Sequence, residues 1–200
     1  ILAIDYCSAP SKMTTSYQQN FASGYISFAA PDRNLTVIPS GNPYNVNADV
    51  ITNLSQAKNF LYLVNPVNYA SKSAFINAVT ATNYDAIIMD LFLNDEVFTA
   101  SEINQLRNKA NGSKRIVICY MSIGEAEDYR YYWNTSWNTS KPSWIAAENP
   151  DWAGNFKVKY WNEDWQNIIY KNSDSYLDKI LAADFDGVYL DIIDGFEYFE

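Results

Sequence analysis

The chain has 200 residues, enough for one domain with a sizeable core, and 48% of them are apolar. Its formal net charge of −9 argues against a nucleic-acid partner, and no apolar run approaches the roughly 20 residues of a membrane span. Histidine is absent, which excludes Ser-His-Asp and Cys-His hydrolysis and His-ligated metal within this chain and leaves acid–base chemistry to Asp, Glu, Tyr, Lys or Cys.

The first apolar run, "ILAIDYC" (1–7), reads as a strand. The stretch from 31 to 57 is polar, with Pro31, Pro39, Gly41 and Pro43, and reads mainly as loop. "NFLYLVNP" (59–66) is a second strand, and "SKSAFINAVTATN" (71–83) sets Ala74, Phe75, Ala78 and Val79 on one helical face. "YDAIIMDLF" (84–92) is a third strand. "TASEINQLRNKANG" (99–112) opens with Thr99 and Glu102 at capping-box spacing and closes on Gly112, which predicts a helix. "RIVICYMSIG" (115–124) and "FKVKYW" (156–161) are further strands. "NEDWQNIIY" (162–170) and "SYLDKILAA" (175–183) are helices, and "DGVYLDIID" (186–194) is the last strand. Most of these strand runs are continuous rather than alternating, as parallel strands covered on both faces should be. Strand then helix, repeated, is the pattern of βαβ units. Cys7 and Cys119 form no CxxC and are expected as buried free thiols.

Several of the runs meet a carboxylate at their C-terminal side: Asp5, Asp90, Asp191, and Glu125 with Glu127. A buried carboxylate is costly without partners, so a set at equivalent strand ends suggests that those ends converge. In a (β/α)8 barrel they converge at the face that carries the active site. A (β/α)8 TIM barrel is therefore the expected fold, incomplete here, with about six of eight strands visible. All six tryptophans fall between residues 133 and 165, more than a core requires. Flat rings beside carboxylates suit sugars, and paired carboxylates are the minimal apparatus for hydrolysing a glycosidic bond.

"CYMSIGEAEDYRYYW", "PSW", "ENPDWAGNFKVKYW", "DWQNII" and "FDGVYLDIIDG", in this order, resemble the endo-α-1,4-polygalactosaminidase family of glycoside hydrolases. The resemblance covers roughly residues 59–200. It implies a (β/α)8 barrel that hydrolyses α-1,4-linked galactosamine polymer, a cationic substrate when not acetylated. It makes Asp191 the leading catalytic carboxylate, with Glu127 and Asp90 as further acids of the site. Glu125, Tyr120, Arg130, Tyr160, Trp161, Asp194 and Asp5 would bind substrate. The family also uses a Glu on a late barrel strand, which has no match in this sequence.

The order of the blocks departs from the family. Residues 1–58 resemble its last strand and tail, whereas 59–200 resemble its first five βα units. A single permuted or truncated barrel domain over 1–200 is the expectation, with the remaining strands lying before Ile1. No cofactor and no metal are expected. The partner is an amino-sugar polysaccharide, met in a secreted or cell-envelope setting. An inactive carbohydrate-binding barrel and a carboxylate-ligated metal hydrolase are the alternatives.

Overall fold

The structure, a computed structural model, describes residues 1–200. The chain divides into two compact units. One comprises Ile1–Cys119 with Ala183–Val188, the other Tyr120–Ala182 with Tyr189–Glu200.

In the first unit, β1 (Leu2–Tyr6) crosses over through α1 (Pro10–Ala22) to β2 (Ile26–Ala30). The two strands pair in parallel from Leu2↔Ile26 to Tyr6↔Ala30. β3 (Phe60–Leu63), α2 (Lys72–Thr80) and β4 (Ala86–Met89) form the next crossover, with Phe60↔Ala86 in register. A short hairpin of β5 (Phe92–Leu93) and β6 (Glu96–Val97) leads to α3 (Ala100–Leu106) and then to β7 (Ile116–Ser122). Every residue of β3 and β4 is buried, which explains their uninterrupted apolar sequences. Phe28, Phe75, Val79 and Ile103 complete this core. Each such side chain contributes about 1.5–3 kcal/mol on leaving water.

The helix boundaries follow local chemistry. Ser71 caps α2 by accepting from Ala74 N–H, and Thr99 with Glu102 closes a reciprocal capping box on α3. α3 ends at Leu106 and does not extend to Gly112. Beyond Arg107 the chain turns, and Lys109 N–H donates to Ser113 O. The turn takes the Lys109 amine into the interior, 2.9 Å from the fully buried carboxylate of Asp85. That ion pair outweighs the helical pattern of "NKANG".

β11 (Gly187–Asp191) completes a four-stranded sheet of order β11-β7-β4-β3. Asp186 N–H donates to Val117 O and Ile123 N–H to Asp191 O, so β11 runs parallel to β7. The fold is α/β with parallel sheets, one of two strands and one of four. It is not a closed barrel. β1 has β2 as its one strand neighbour and β11 has β7, so the hydrogen-bonded circuit that a (β/α)8 barrel requires is not made.

In the second unit, β8 (Glu125–Glu127), β9 (Ile145–Glu148) and β10 (Asn155–Val158) form an antiparallel sheet of order β8-β10-β9. α4 (Glu163–Gln166) widens into a π turn at Asn167–Lys171 before α5 (Tyr176–Ala182). "FKVKYW" is thus no parallel strand. Its alternation buries Phe156 and Val158 and turns Lys157 toward the other face, the pattern of a half-covered antiparallel strand. The sixth parallel strand is β2. Two of the six tryptophans, Trp144 and Trp165, are buried in the core of this unit, and half-buried Trp133 and Trp137 extend them into a chain of ring contacts 5.2–5.3 Å between centroids. Both cysteines are buried and unbonded to each other, and no helix is long and apolar enough to cross a membrane.

Candidate active site

Asp191 is the last residue of β11 and is half-buried. Tyr120, on β7, donates its hydroxyl to Asp191 Oδ2 at 2.6 Å. The Asp191 carbonyl accepts from Ile123 N–H at 3.1 Å. Backbone and carboxylate are therefore both anchored to the end of β7, and no protein donor reaches Oδ1. Immediately after it, Ile192 adopts φ 57°, a left-handed conformation that is rare for a β-branched residue. The Ile192 carbonyl oxygen lies against Gly124, where a Cβ would sit 2.3 Å from it. Only glycine fits at 124. Asp194 follows as an exposed residue at the start of a final 3-10 turn, Gly195–Phe199.

β8 contributes two more carboxylates. Glu125 and Glu127 are 3% and 2% exposed, and the alternation of a strand points both to one face of the sheet. Glu125 lies directly across from Lys157 of β10, whose amine is 2.6 Å from Oε1, and Asn149 donates to the same oxygen at 2.8 Å. Glu127 forms a buried ion pair with Arg130. Its N–H donates to the Tyr132 hydroxyl at 3.1 Å. Burial, with the charge of Glu127 adding to it, pushes the Tyr132 hydroxyl well above the usual tyrosine pKa. The Arg130 guanidinium also sits over the rings of Tyr129 and Tyr176, at 5.4 and 5.7 Å.

The sequence-predicted residues fall into both units. Tyr120, Glu125, Glu127, Arg130, Tyr160, Trp161, Asp191 and Asp194 belong to the second, Asp5 and Asp90 to the first. Asp90 follows β4 at its C-terminal end, and its Oδ1 accepts from Phe92 N–H at 2.8 Å. Asp5 accepts from Ser16 and Asn20 of α1, each at 2.7 Å, so its carboxylate ties strand to crossover helix. Tyr160 and Trp161 are 45% and 52% exposed and touch edge to face, and Trp161 continues onto Phe199. Lys157 and Asn149 were not singled out from sequence. The alternating pattern of "FKVKYW" is the one signal that could have paired Lys157 with an acid. No group of three or more Cys, Asp or Glu side chains stands close enough to hold a metal ion.

The site thus presents a half-buried carboxylate at the end of a parallel strand with tyrosine as its donor, in a chain without histidine. The model of glycoside-hydrolase family GH114 matches residues 47–200, and the chain belongs to that family, the endo-α-1,4-polygalactosaminidase family. An uncharacterized protein of Methanocaldococcus jannaschii is 40% identical over 152 residues, which are 76% of this chain and 42% of that protein. One of Thermotoga maritima is 48% identical over 83 residues, 42% of this chain and 24% of that protein. A third, from Deinococcus radiodurans, is 39% identical over 122 residues, 61% and 37% of the two lengths. The chain thus spans less than half the length of these curated relatives.

Proposed function

We propose that this chain carries a glycoside-hydrolase site for α-1,4-linked galactosamine polymer, with Asp191 as its leading catalytic carboxylate. Family membership supports glycosidic-bond hydrolysis in general. The single observation that favours Asp191 is its geometry: Tyr120 holds one oxygen at 2.6 Å, and the other carries no protein hydrogen bond. A carboxylate held by a donor and open on its second oxygen is poised to meet a sugar.

Glu127 differs. It is buried and already ion-paired with Arg130. The amine groups of an unacetylated amino-sugar polymer carry positive charge, and the chain's net charge of −9 suits them. Asp90 enters the proposal through the family resemblance, as do Glu125, Tyr160, Trp161 and Asp194 as sugar contacts. A polymer of this kind is met in a secreted or envelope setting.

The test is turnover of acetylated and unacetylated α-1,4-galactosamine polymers by the native chain and by Asp191→Asn, which removes a charge at nearly constant volume. A loss of about 10²–10⁴-fold or more in kcat, with an unchanged circular-dichroism spectrum, is expected. Near-normal activity would transfer the role to Glu127. Binding of polymer by the native chain without any cleavage would replace hydrolysis by carbohydrate binding alone.

A further inference from the structure

We propose that Ile192 is a positioning residue for Asp191: its left-handed backbone, seated against Gly124, sets the carboxylate onto Tyr120. The inference rests on the reading of Asp191 as a catalytic carboxylate. Four observations in one short segment carry it. Ile192 has φ 57°, which a β-branched residue adopts only where its surroundings over-determine it. Those surroundings are visible. The Ile192 carbonyl oxygen would meet a Cβ on Gly124 at 2.3 Å, and its Cγ2 would meet the same atom at 2.7 Å. Gly195 N–H donates to the same carbonyl at 3.2 Å, closing the turn from its far side. On the near side, Ile123 N–H holds the Asp191 carbonyl.

The seat itself is fixed. Gly124 O accepts from Val158 N–H at 3.3 Å, and the Trp165 indole donates to Ile123 O at 3.0 Å. Residues 123–124 are thus pinned to β10 and to the core tryptophan, and residues 191–192 are pinned to them. Had Ile192 continued the extended path of β11, its carbonyl would not point back at Gly124. The peptide that carries the Asp191 side chain would then lose its stop. A left-handed residue there ends the strand abruptly and leaves Asp191 at its tip, within reach of the Tyr120 hydroxyl.

The experiment compares the native chain with Ile192→Gly and Ile192→Asn, in full-length form. Asparagine accepts the left-handed region and keeps a constrained backbone, whereas glycine accepts it and much else besides. For Ile192→Gly, kcat should fall at least tenfold with KM unchanged and with no loss of melting temperature. Ile192→Asn should keep kcat within about threefold of native and raise the melting temperature by about 2–4 °C as strain is relieved. Crystal structures should show the Tyr120–Asp191 bond kept in the asparagine variant and broken or doubled into alternate positions in the glycine variant. A fall in melting temperature with kcat intact would reduce Ile192 to a packing role. Equal loss of kcat in both variants would assign the effect to the side chain and overturn the backbone reading. If the native chain cleaves no amino-sugar polymer, the proposed function fails. The crystal structures then still decide: an unchanged Asp191 in Ile192→Gly overturns the inference, and a displaced one upholds it.

Discussion

Arg130 shows what a buried carboxylate demands of its neighbours. Glu127 and Arg130 both lie almost wholly out of water, and each satisfies the other. Removing the cation alone leaves an uncompensated buried charge, a far larger penalty than losing an exposed pair. Arg130→Met should therefore cost about 3–5 kcal/mol in urea unfolding. Adding Glu127→Gln to it should recover part of the loss, because the double variant buries no lone charge. No recovery would mean that Arg130 acts through its ring contacts with Tyr129 and Tyr176 instead. These carboxylates were visible in the sequence as acids at strand ends. The partner of Glu125 was not, because its salt bridge with Lys157 depends on the register of two strands rather than on nearness in the chain.

Among the elements, α3 is a short helix held at its start. Thr99 accepts from Glu102 N–H at 3.3 Å, and Glu102 accepts from Thr99 N–H at 2.8 Å and from the Lys72 amine at 3.0 Å. Thr99→Ala should cost about 1 kcal/mol in thermal or urea unfolding. Burial alone would raise the Glu102 carboxyl, but the Thr99 N–H, the Lys72 amine and the Thr99 hydroxyl outweigh it and hold the group below the usual range. A lowered folded pKa means stability that is fully present above the unfolded value of about 4.3 and is lost as pH falls through the folded value. Glu102→Gln should accordingly lower the melting temperature at pH 7, and the gap from native should shrink as pH approaches 3. A gap that is constant with pH would show that shape, not charge, makes the cap. The capping box was legible in "TASE" because all its atoms lie within four residues. The end of α3 was not, since it is Lys109 meeting Asp85, 24 residues earlier, that draws the chain away.

For the whole molecule, a net charge of −9 acts at a distance that salt controls. If the polymer bound is the cationic form, kcat/KM should fall severalfold between about 0.01 and 0.1 M salt, as the screening length drops from about 30 to about 10 Å. The acetylated polymer should show little change, and equal salt dependence of both forms would remove charge from the account of recognition. The α/β class, most helix positions, the buried cysteines and the family were all determined by the sequence alone. They rest on periodicity, caps and side-chain chemistry, which are local and leave a direct trace in the order of residues. The tertiary structure alone decided that the parallel strands do not close, that "FKVKYW" lies antiparallel beside β8, and that Trp144 and Trp165 are core. It also decided that Tyr120 meets Asp191 across 71 positions. The reason is physical: a one-residue slip in strand pairing turns every side chain to the opposite face, so which groups meet is set by register between distant segments, and no short stretch of sequence contains it.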